Sequence, residues 1–409
     1  MLGGALRPWQ RWVPGARSYV CGMTIGFASR VAVPTCALCA AGLLVLAPAA
    51  AATGTGVDPG PRATPAAASL LYRPGTHVRP HRGTPAVPDL SARSWLIADA
   101  RTGEVLAAHD AHRRLPPAST LKTLFALTVL PALPSGIRHR VGAEELEDVG
   151  PGSSLVGVAE NRTYRVADLW NGVFLSSGND AVRVLAGLTG GWRDTAERMQ
   201  AKARSLGARD TRVTSPDGYD APGQVSSAFD LAVFGRAGLR NPEFARYCAL
   251  REARFPGRDG DSYGIVNTNR LLTGADGVAP YRGLIGIKNG YTSDAGNTLV
   301  AAARRGGRTL VATVMNPRSD DGYAVYEETR SLLDWGFAAA GRVDPVGSLD
   351  ALRTGPLRGP EAESAAVPAA RRQDGPGRPV SWTIAGAALL GGAGTALFLR
   401  LRWGPVPAG

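Results

Sequence analysis

From position 91 the chain reads SARSWLIADARTGEVLAAHD, two short apolar stretches of strand-like composition on either side of a turn around Thr102 and Gly103. This pattern predicts a β-hairpin. The apolar spacing then becomes helical over Ser119 to Leu130, stopped by Pro131, over Val166 to Leu175, over Asp194 to Leu206, stopped by Gly207, and over Ala228 to Leu239. Three more strands are predicted at LIGIKNG, NTLVAAARR and RTLVATVMN, the last two joined by a turn at Gly306–Gly307, and a final helix from about Tyr323 to Ala340. Strands first, helices in the middle and strands last predict an α+β fold. Both ends of the domain complete one antiparallel sheet, flanked by helices and interrupted by a helical insert. No internal repeat is seen.

The flanking segments have a different character. Val31 to Ala49 is apolar, follows Arg30 and runs into an alanine stretch with an A-x-A cleavage pattern around Ala49 to Ala52, so residues 1–52 are expected to be a secretory signal peptide. Met23 begins a leader of more usual length and is an alternative translation start to Met1; no arginine pair precedes the apolar run. Trp382 to Leu399 is uncharged and just long enough to cross a bilayer. The expected organisation is therefore a signal peptide 1–52, a Pro/Gly/Ala-rich linker 53–88, a catalytic domain 89–345, a Pro/Gly/Arg-rich linker 346–380, a transmembrane helix 381–401 and a short cytoplasmic tail 402–409. The signal peptide sends the body outward, placing the domain on the extracytoplasmic face. The net charge of +12 is spread along the chain without an aromatic-interleaved basic stripe, which argues against nucleic acid as a partner. Cys21, Cys36 and Cys39 fall in the leader, leaving Cys248 alone, so no intramolecular disulfide is expected after cleavage.

Against 43 arginines, lysine occurs only at positions 122, 202 and 288. A lysine in such a chain marks a task that a guanidinium, always protonated, cannot perform. Lys122 lies three residues after Ser119 in PPASTLKTL, on the same helical face, where its amine can reach the serine hydroxyl. A serine is a weak nucleophile until a base takes its proton. A lysine is that base only if burial or a nearby positive charge depresses its pKa, and a second lysine would help. LSSGNDAV presents Ser177 and Asn179 two residues apart, where the helix is expected to end in a loop. In GIKNGYT, Lys288 and Gly290 point to one face of a strand, so an extended ligand has room beside the ammonium. Each short pattern alone also suits an ordinary cap, turn or strand end.

Together the ordered set S-x-x-K, S-x-N and K-x-G is that of penicillin-binding proteins and class A β-lactamases. The domain resembles the D-alanyl-D-alanine carboxypeptidases, the low-molecular-weight penicillin-binding proteins of the S11 peptidase family. The likeness covers nearly all of residues 90–340 and includes DARTGEVLAAHD, SSGNDAV, AERMQAKARSLGARDT with SPDGYD, SSAFDLA, NTNRLL and GIKNGYTSDAGNTLVAAARR. It implies a β-lactamase/DD-peptidase-like fold and a serine enzyme that trims the terminal D-alanine from peptidoglycan stem peptides ending in D-Ala-D-Ala. It implies further that Ser119 attacks the carbonyl, Lys122 takes the proton, Ser177 relays one to the leaving D-alanine, Asn179 holds the peptide amide and Lys288 attracts the terminal carboxylate. Backbone N–H groups of Ser119 and Tyr291 are the implied oxyanion hole, and β-lactams the implied covalent inhibitors.

Asn289 stands where the family usually has threonine. No glutamate among Glu197, Glu243 and Glu252 lies in the Glu-x-x-Leu-Asn setting that a β-lactamase uses to hydrolyse its acyl-enzyme. A catalytically weak peptidoglycan-binding protein is the alternative of a different class. The histidines at 77, 81, 109, 112 and 139 lack an H-E-x-x-H context, His109 and His112 reading as polar hairpin residues, and no Walker or dinucleotide pattern is present, so neither metal nor cofactor is expected. If Lys122 must lose its proton to serve Ser119, Lys122→Arg keeps the fold and abolishes labelling by a fluorescent penicillin. Labelling of that variant at the normal rate would refute the role.

Overall fold

The computed structural model describes residues 70–350, apart from positions 259 and 320. The expected signal peptide, transmembrane helix and cytoplasmic tail lie outside the described residues. Among the described residues no helix is long and apolar enough to cross a membrane. The strands are β1 (Thr76–Pro80), β2 (Ser94–Asp99), β3 (Glu104–His109), β4 (Arg138–Arg140), β5 (Thr163–Arg165), β6 (Glu252–Pro256), β7 (Ser262–Val266), β8 (Leu284–Thr292), β9 (Gly296–Arg305), β10 (Arg308–Met315), β11 (Val343–Asp344) and β12 (Gly347–Ser348). The α-helices are α1 (Lys122–Val129), α2 (Val166–Leu175), α3 (Asn179–Gly187), α4 (Trp192–Ser205), α5 (Ala228–Leu239), α6 (Pro242–Ala249), α7 (Arg270–Thr273) and α8 (Ala324–Ala339).

One antiparallel sheet runs in the order β11-β1-β3-β2-β10-β9-β8, with β12 pairing on β3. The predicted hairpin is β2–β3, and β2 pairs with β10 from Leu310↔Asp99 to Met315↔Ser94. The two ends of the domain thus meet at the centre of the sheet, and the helical insert leaves after β3 and returns at β8. Alternation along the central strands sorts their side chains into two cores. Leu299, Ala301 and Ala303 of β9 with Leu310, Ala312 and Val314 of β10 pack with Val325, Leu332 and Leu333 of α8. Val300, Ala302 and Val311 pack on the opposite side with Phe229 and Phe234 of α5 and with Leu124 and Phe125 of α1. Both faces being covered, the central strands are apolar at nearly every position instead of alternating with polar residues.

Every residue of α1 except Thr128 is buried. A helix apolar all round belongs in the middle of a core, and α1 packs against α4 and α5 there. Helix starts are fixed by local chemistry: Ser227 Oγ accepts from the Asp230 N–H (3.1 Å) ahead of α5, and Asn241 Oδ1 accepts from Glu243 N–H (2.9 Å) ahead of α6.

Several expectations need correction. The segment expected to be linker 53–88 contains β1, which pairs with β3 and β11. THVRP has little apolar alternation and ends in proline because it lies near the sheet's edge with no residue buried. Likewise Gly347–Ser348, expected in the linker 346–380, pairs with Glu104–Val105. The helix expected over 119–130 is a 3₁₀ turn (Ala118–Leu121), then α1, then a second 3₁₀ turn over Leu130–Ala132, where Pro131 ends the α ladder.

Arg236 of α5 ties the two halves together. Its buried guanidinium donates to the carbonyls of Ala100 (2.9 Å) and Arg101 (3.2 Å) in the β2–β3 turn and pairs with Asp350 at 2.9 Å. Arg236→Met strips both carbonyls and the carboxylate of their donor and is expected to cost ~2–4 kcal/mol in chemical denaturation; an unchanged midpoint would show that these contacts contribute nothing.

Candidate active site

Pro116 and Pro117 lead into Ala118, which adopts the left-handed conformation (φ 49°), and the chain then tightens into the 3₁₀ turn that carries Ser119. A non-glycine residue at positive φ is costly and persists where its surroundings fix it. Two glycines supply that constraint by close approach. A Cβ on Gly218 would lie 2.1 Å from the Ala118 carbonyl oxygen, and one on Gly290 would lie 2.7 Å from the Ser119 nitrogen. Thr298 Oγ1 on β9 lies 3.1 Å from the Pro117 carbonyl and 3.3 Å from that of Gly290, joining the sheet to the same turn. Gly290 was expected to make room for a ligand; its missing side chain instead lets β8 touch the nucleophile's backbone.

Because α1 is the central helix, Lys122 at its first turn is buried, with 1% exposure. Its Nζ donates to three oxygens, each at 2.7 Å: Ser119 Oγ, Asn179 Oδ1 and the Asp217 carbonyl. Burial lowers its pKa from 10.5 to about 8, against a smaller upward pull from the carboxylates of Asp217 and Asp180. Lys288 is equally buried, and desolvation followed by repulsion from Lys122 holds its pKa well below the usual lysine value. Its Nζ donates to the Asn289 carbonyl at 2.9 Å.

Asn179 was expected on a loop; it is the first residue of α3, and its carboxamide is committed at both ends. Oδ1 receives Lys122, while Nδ2 donates to Ser153 Oγ at 3.0 Å. The next residue, Asp180, accepts the N–H groups of Val156 (3.0 Å), Gly157 (2.8 Å) and Val158 (2.8 Å), pinning the segment that carries Ser153 and Ser154 against α3. Ser177, at φ 59°, does not join this network: its Oγ is buried without a hydrogen-bond partner. Asn289 points away from Lys288 and Gly290, as alternation requires, and its Oδ1 accepts from Thr268 Oγ1 at 3.1 Å. Tyr291 is 68% exposed at the mouth of the cleft.

That cleft is walled by Ser119, Ser153, Asn179, Tyr219, Asp220 and Tyr291, among others. Of the predicted residues, Ser119, Lys122 and Asn179 are joined directly by hydrogen bonds, Gly290 braces them, and Lys288 lies close enough to be repelled by the charge of Lys122. The sequence pattern offered no role for Asp217, Gly218 or Thr298. The P-D-G tripeptide of SPDGYD was a turn signal pointing at the first two, and Asp217 Oδ1 does accept the Tyr219 N–H at 3.0 Å. His112 lies apart from the cleft, bonded to Asp210 at 2.7 Å and stacked on Tyr72.

Residues 81–319 match the family model of the D-alanyl-D-alanine carboxypeptidases, Peptidase S11. The chain belongs to this family. It is 41% identical over 270 residues to the D-alanyl-D-alanine carboxypeptidase DacB2 of Mycobacterium tuberculosis, covering 65% of this chain and 89% of that one. To DacD of Escherichia coli it is 36% identical, covering 62% of this chain and 65% of the relative's length. A solved D-alanyl-D-alanine carboxypeptidase from Mycobacterium tuberculosis superposes with a TM-score of 0.60 at 39% identity, over 66% of this chain and 100% of that one. The fold is accordingly that of the DD-peptidases and penicillin-binding proteins. In this family member the close approach of β8 to Ser119 yields a direct test. Gly290→Ala drives a methyl group into the Ser119 nitrogen, Thr298 Oγ1 and Ala118 Cβ, and is expected to slow penicillin labelling ~10²–10³-fold, the usual cost of losing an oxyanion donor. Normal labelling of the folded variant would show that the turn yields without consequence.

Proposed function

We propose that the protein is a serine-type D-Ala-D-Ala carboxypeptidase that removes the terminal D-alanine of peptidoglycan stem peptides through an acyl-enzyme on Ser119. The observation that carries the mechanism is the triple coordination of Lys122 Nζ. A neutral amine keeps two N–H donors. With those held by the fixed acceptors Asn179 Oδ1 and the Asp217 carbonyl, its lone pair is left aimed at Ser119 Oγ. A pKa of about 8 leaves a useful fraction of this base deprotonated near neutrality.

In the proposed first step Ser119 Oγ bonds to the carbonyl carbon of the penultimate D-alanine while its proton passes to Lys122. The carbonyl oxygen becomes an oxyanion facing the N–H groups of Ser119 and Tyr291. The C–N bond to the terminal D-alanine then breaks as its amine takes the proton that Lys122 accepted, with Ser177 as the proposed relay. Water next attacks the ester, Lys122 accepts its proton and returns it to Ser119 Oγ as the C–O bond breaks, and the shortened peptide is released. Lys288 is the proposed counter-charge for the substrate's terminal carboxylate: two buried lysines repel each other, and an incoming anion relieves that repulsion. Asn179 orients Lys122 through Oδ1, and the second N–H of its Nδ2 is the proposed donor to the peptide carbonyl beside the one given to Ser153. Asn289 lies on the strand face opposite Lys288, where its Oδ1 accepts from Thr268. A penicillin enters the same scheme, its ring carbonyl replacing the peptide's. For location we propose the outer face of the cell membrane, with export by residues 1–52 and anchoring by 381–401, supported by their uncharged apolar runs.

D-alanine release from a stem pentapeptide, alongside Ser119→Ala, tests the proposal. Release is expected from the wild type and not from the variant; a folded wild type that releases none, yet binds the peptide, favours the catalytically weak alternative. The pH dependence has a defined sign. Deprotonating Lys122 creates the base, so acylation speeds up with pH, ~10-fold per unit below pH 7, and levels off above about 8. A flat profile from pH 6 to 8 would exclude Lys122 as the base.

A further inference from the structure

Of the twelve residues lining the cleft at Ser119, only Asp220 carries a charge. The rest of its wall is hydroxyl, amide, proline and glycine. A lone carboxylate there runs against a chain of net charge +12, in which arginine is plentiful. Asp220 nevertheless forms no salt bridge among the described residues, and its recorded contact is the N–H of Asp294, which donates to Oδ2 at 3.2 Å.

Its position is fixed by the groups that build the active site. Three residues earlier the Asp217 carbonyl holds Lys122, and Gly218 presses on the Ala118 carbonyl. The Tyr219 hydroxyl donates to the Pro151 carbonyl at 2.8 Å, closing this loop onto the opposite wall of the cleft. The Asp294 contact fixes the other flank to the β8–β9 turn. Asp220 is thus a partly exposed carboxylate that lines the same cleft as Ser119 and has no salt bridge among the described residues.

Electrostatics decide which part of a peptide it meets. The terminal carboxylate of the leaving D-alanine is repelled by Asp220 and attracted by Lys288. Asp220 therefore belongs to the acyl side, the part of the substrate that stays on Ser119. We infer that Asp220 recognises a protonated primary amine on the side chain of the residue preceding the two D-alanines, so that the enzyme prefers stems whose amine is free to those in which it has been acylated. This rests on the carboxypeptidase function proposed above. An acylated amine has no charge to offer, and its bulk must enter the cleft beside Tyr219.

The test compares two substrates of the full-length protein, Nα-acetyl-L-lysyl-D-alanyl-D-alanine and its Nα,Nε-diacetyl counterpart. Each is measured as D-alanine release and, independently of turnover, as protection of Ser119 from a fluorescent penicillin. The wild type is expected to favour the free amine about five- to tenfold, the scale of one charge-assisted hydrogen bond, mainly through KM, and to lose part of that preference in high salt. In Asp220→Asn the ratio falls to about one, and Asp220→Glu restores part of it. A residue that only braces the β8–β9 turn would lower both substrates together and leave the ratio unchanged, and that result overturns the inference, as does a wild type without preference. Preference in the protection assay with no D-alanine release from either peptide keeps the role of Asp220 and overturns the carboxypeptidase reading instead.

Discussion

A buried amine organises this protein. Lys122 sits inside the helical half because α1 is apolar on all sides and passes through the middle of the core. Burying an ammonium without partners is costly, and the chain meets that cost in two ways. Three oxygens at 2.7 Å satisfy its donors, and the pKa falls to about 8, so the charged form is only weakly preferred. Arginine could meet neither condition. Its guanidinium stays protonated at any accessible pH, and its planar fork does not fit three acceptors converging on one nitrogen. The identity of this residue is therefore a consequence of where its helix lies.

The three acceptors come from distant parts of the chain, and this explains the architecture around them. Ser119 belongs to the turn before α1, Asn179 opens α3, and the Asp217 carbonyl lies in the loop ahead of α5. The sheet presses β8 onto the nucleophile's turn, with Gly290 against Ser119 and Thr298 between the carbonyls of Pro117 and Gly290. The sheet is made by joining the first hairpin to the last strands, so the geometry of Ser119 depends on pairing between residues some two hundred positions apart, as in Trp95↔Val314. The left-handed Ala118 is tolerable under the same constraint, because its carbonyl is braced by Gly218.

Much of this was legible in the residues. The β2–β3 hairpin, α2 at 166–175, α5 at 228–239 and the three C-terminal strands follow their hydrophobic periods closely, since each buries a full face or both faces. The scarcity of lysine pointed to positions 122 and 288, and the structure brings both into one buried site. What escaped depends on tertiary partners. The strand β1 has no buried residue to betray it, and α3 hides behind Ser177-Gly178, which resemble a turn. For α6 the signal was present in Asn241-Pro242, a capping residue followed by proline at the first helical position. Gly290 could not be interpreted from its own strand, because what it avoids is the Ser119 nitrogen more than 170 residues earlier. Asp217 contributes through its backbone carbonyl, for which no side-chain motif exists.

The same constraint gives the cleft a direction. Two lysines are buried on the inner side, while the carboxylate of Asp220 lines the cleft and forms no salt bridge among the described residues. In the scheme proposed above, a peptide with an anionic end and a cationic branch turns its carboxylate toward Lys288 and its branch toward Asp220, in one of the two possible senses. Reversing it would set carboxylate against carboxylate and amine against two lysines. Orientation, and with it the placement of the scissile carbonyl over Ser119, follows from where three charges were buried or left exposed, and it does so without requiring the neutral wall of hydroxyls and amides to discriminate between the two directions.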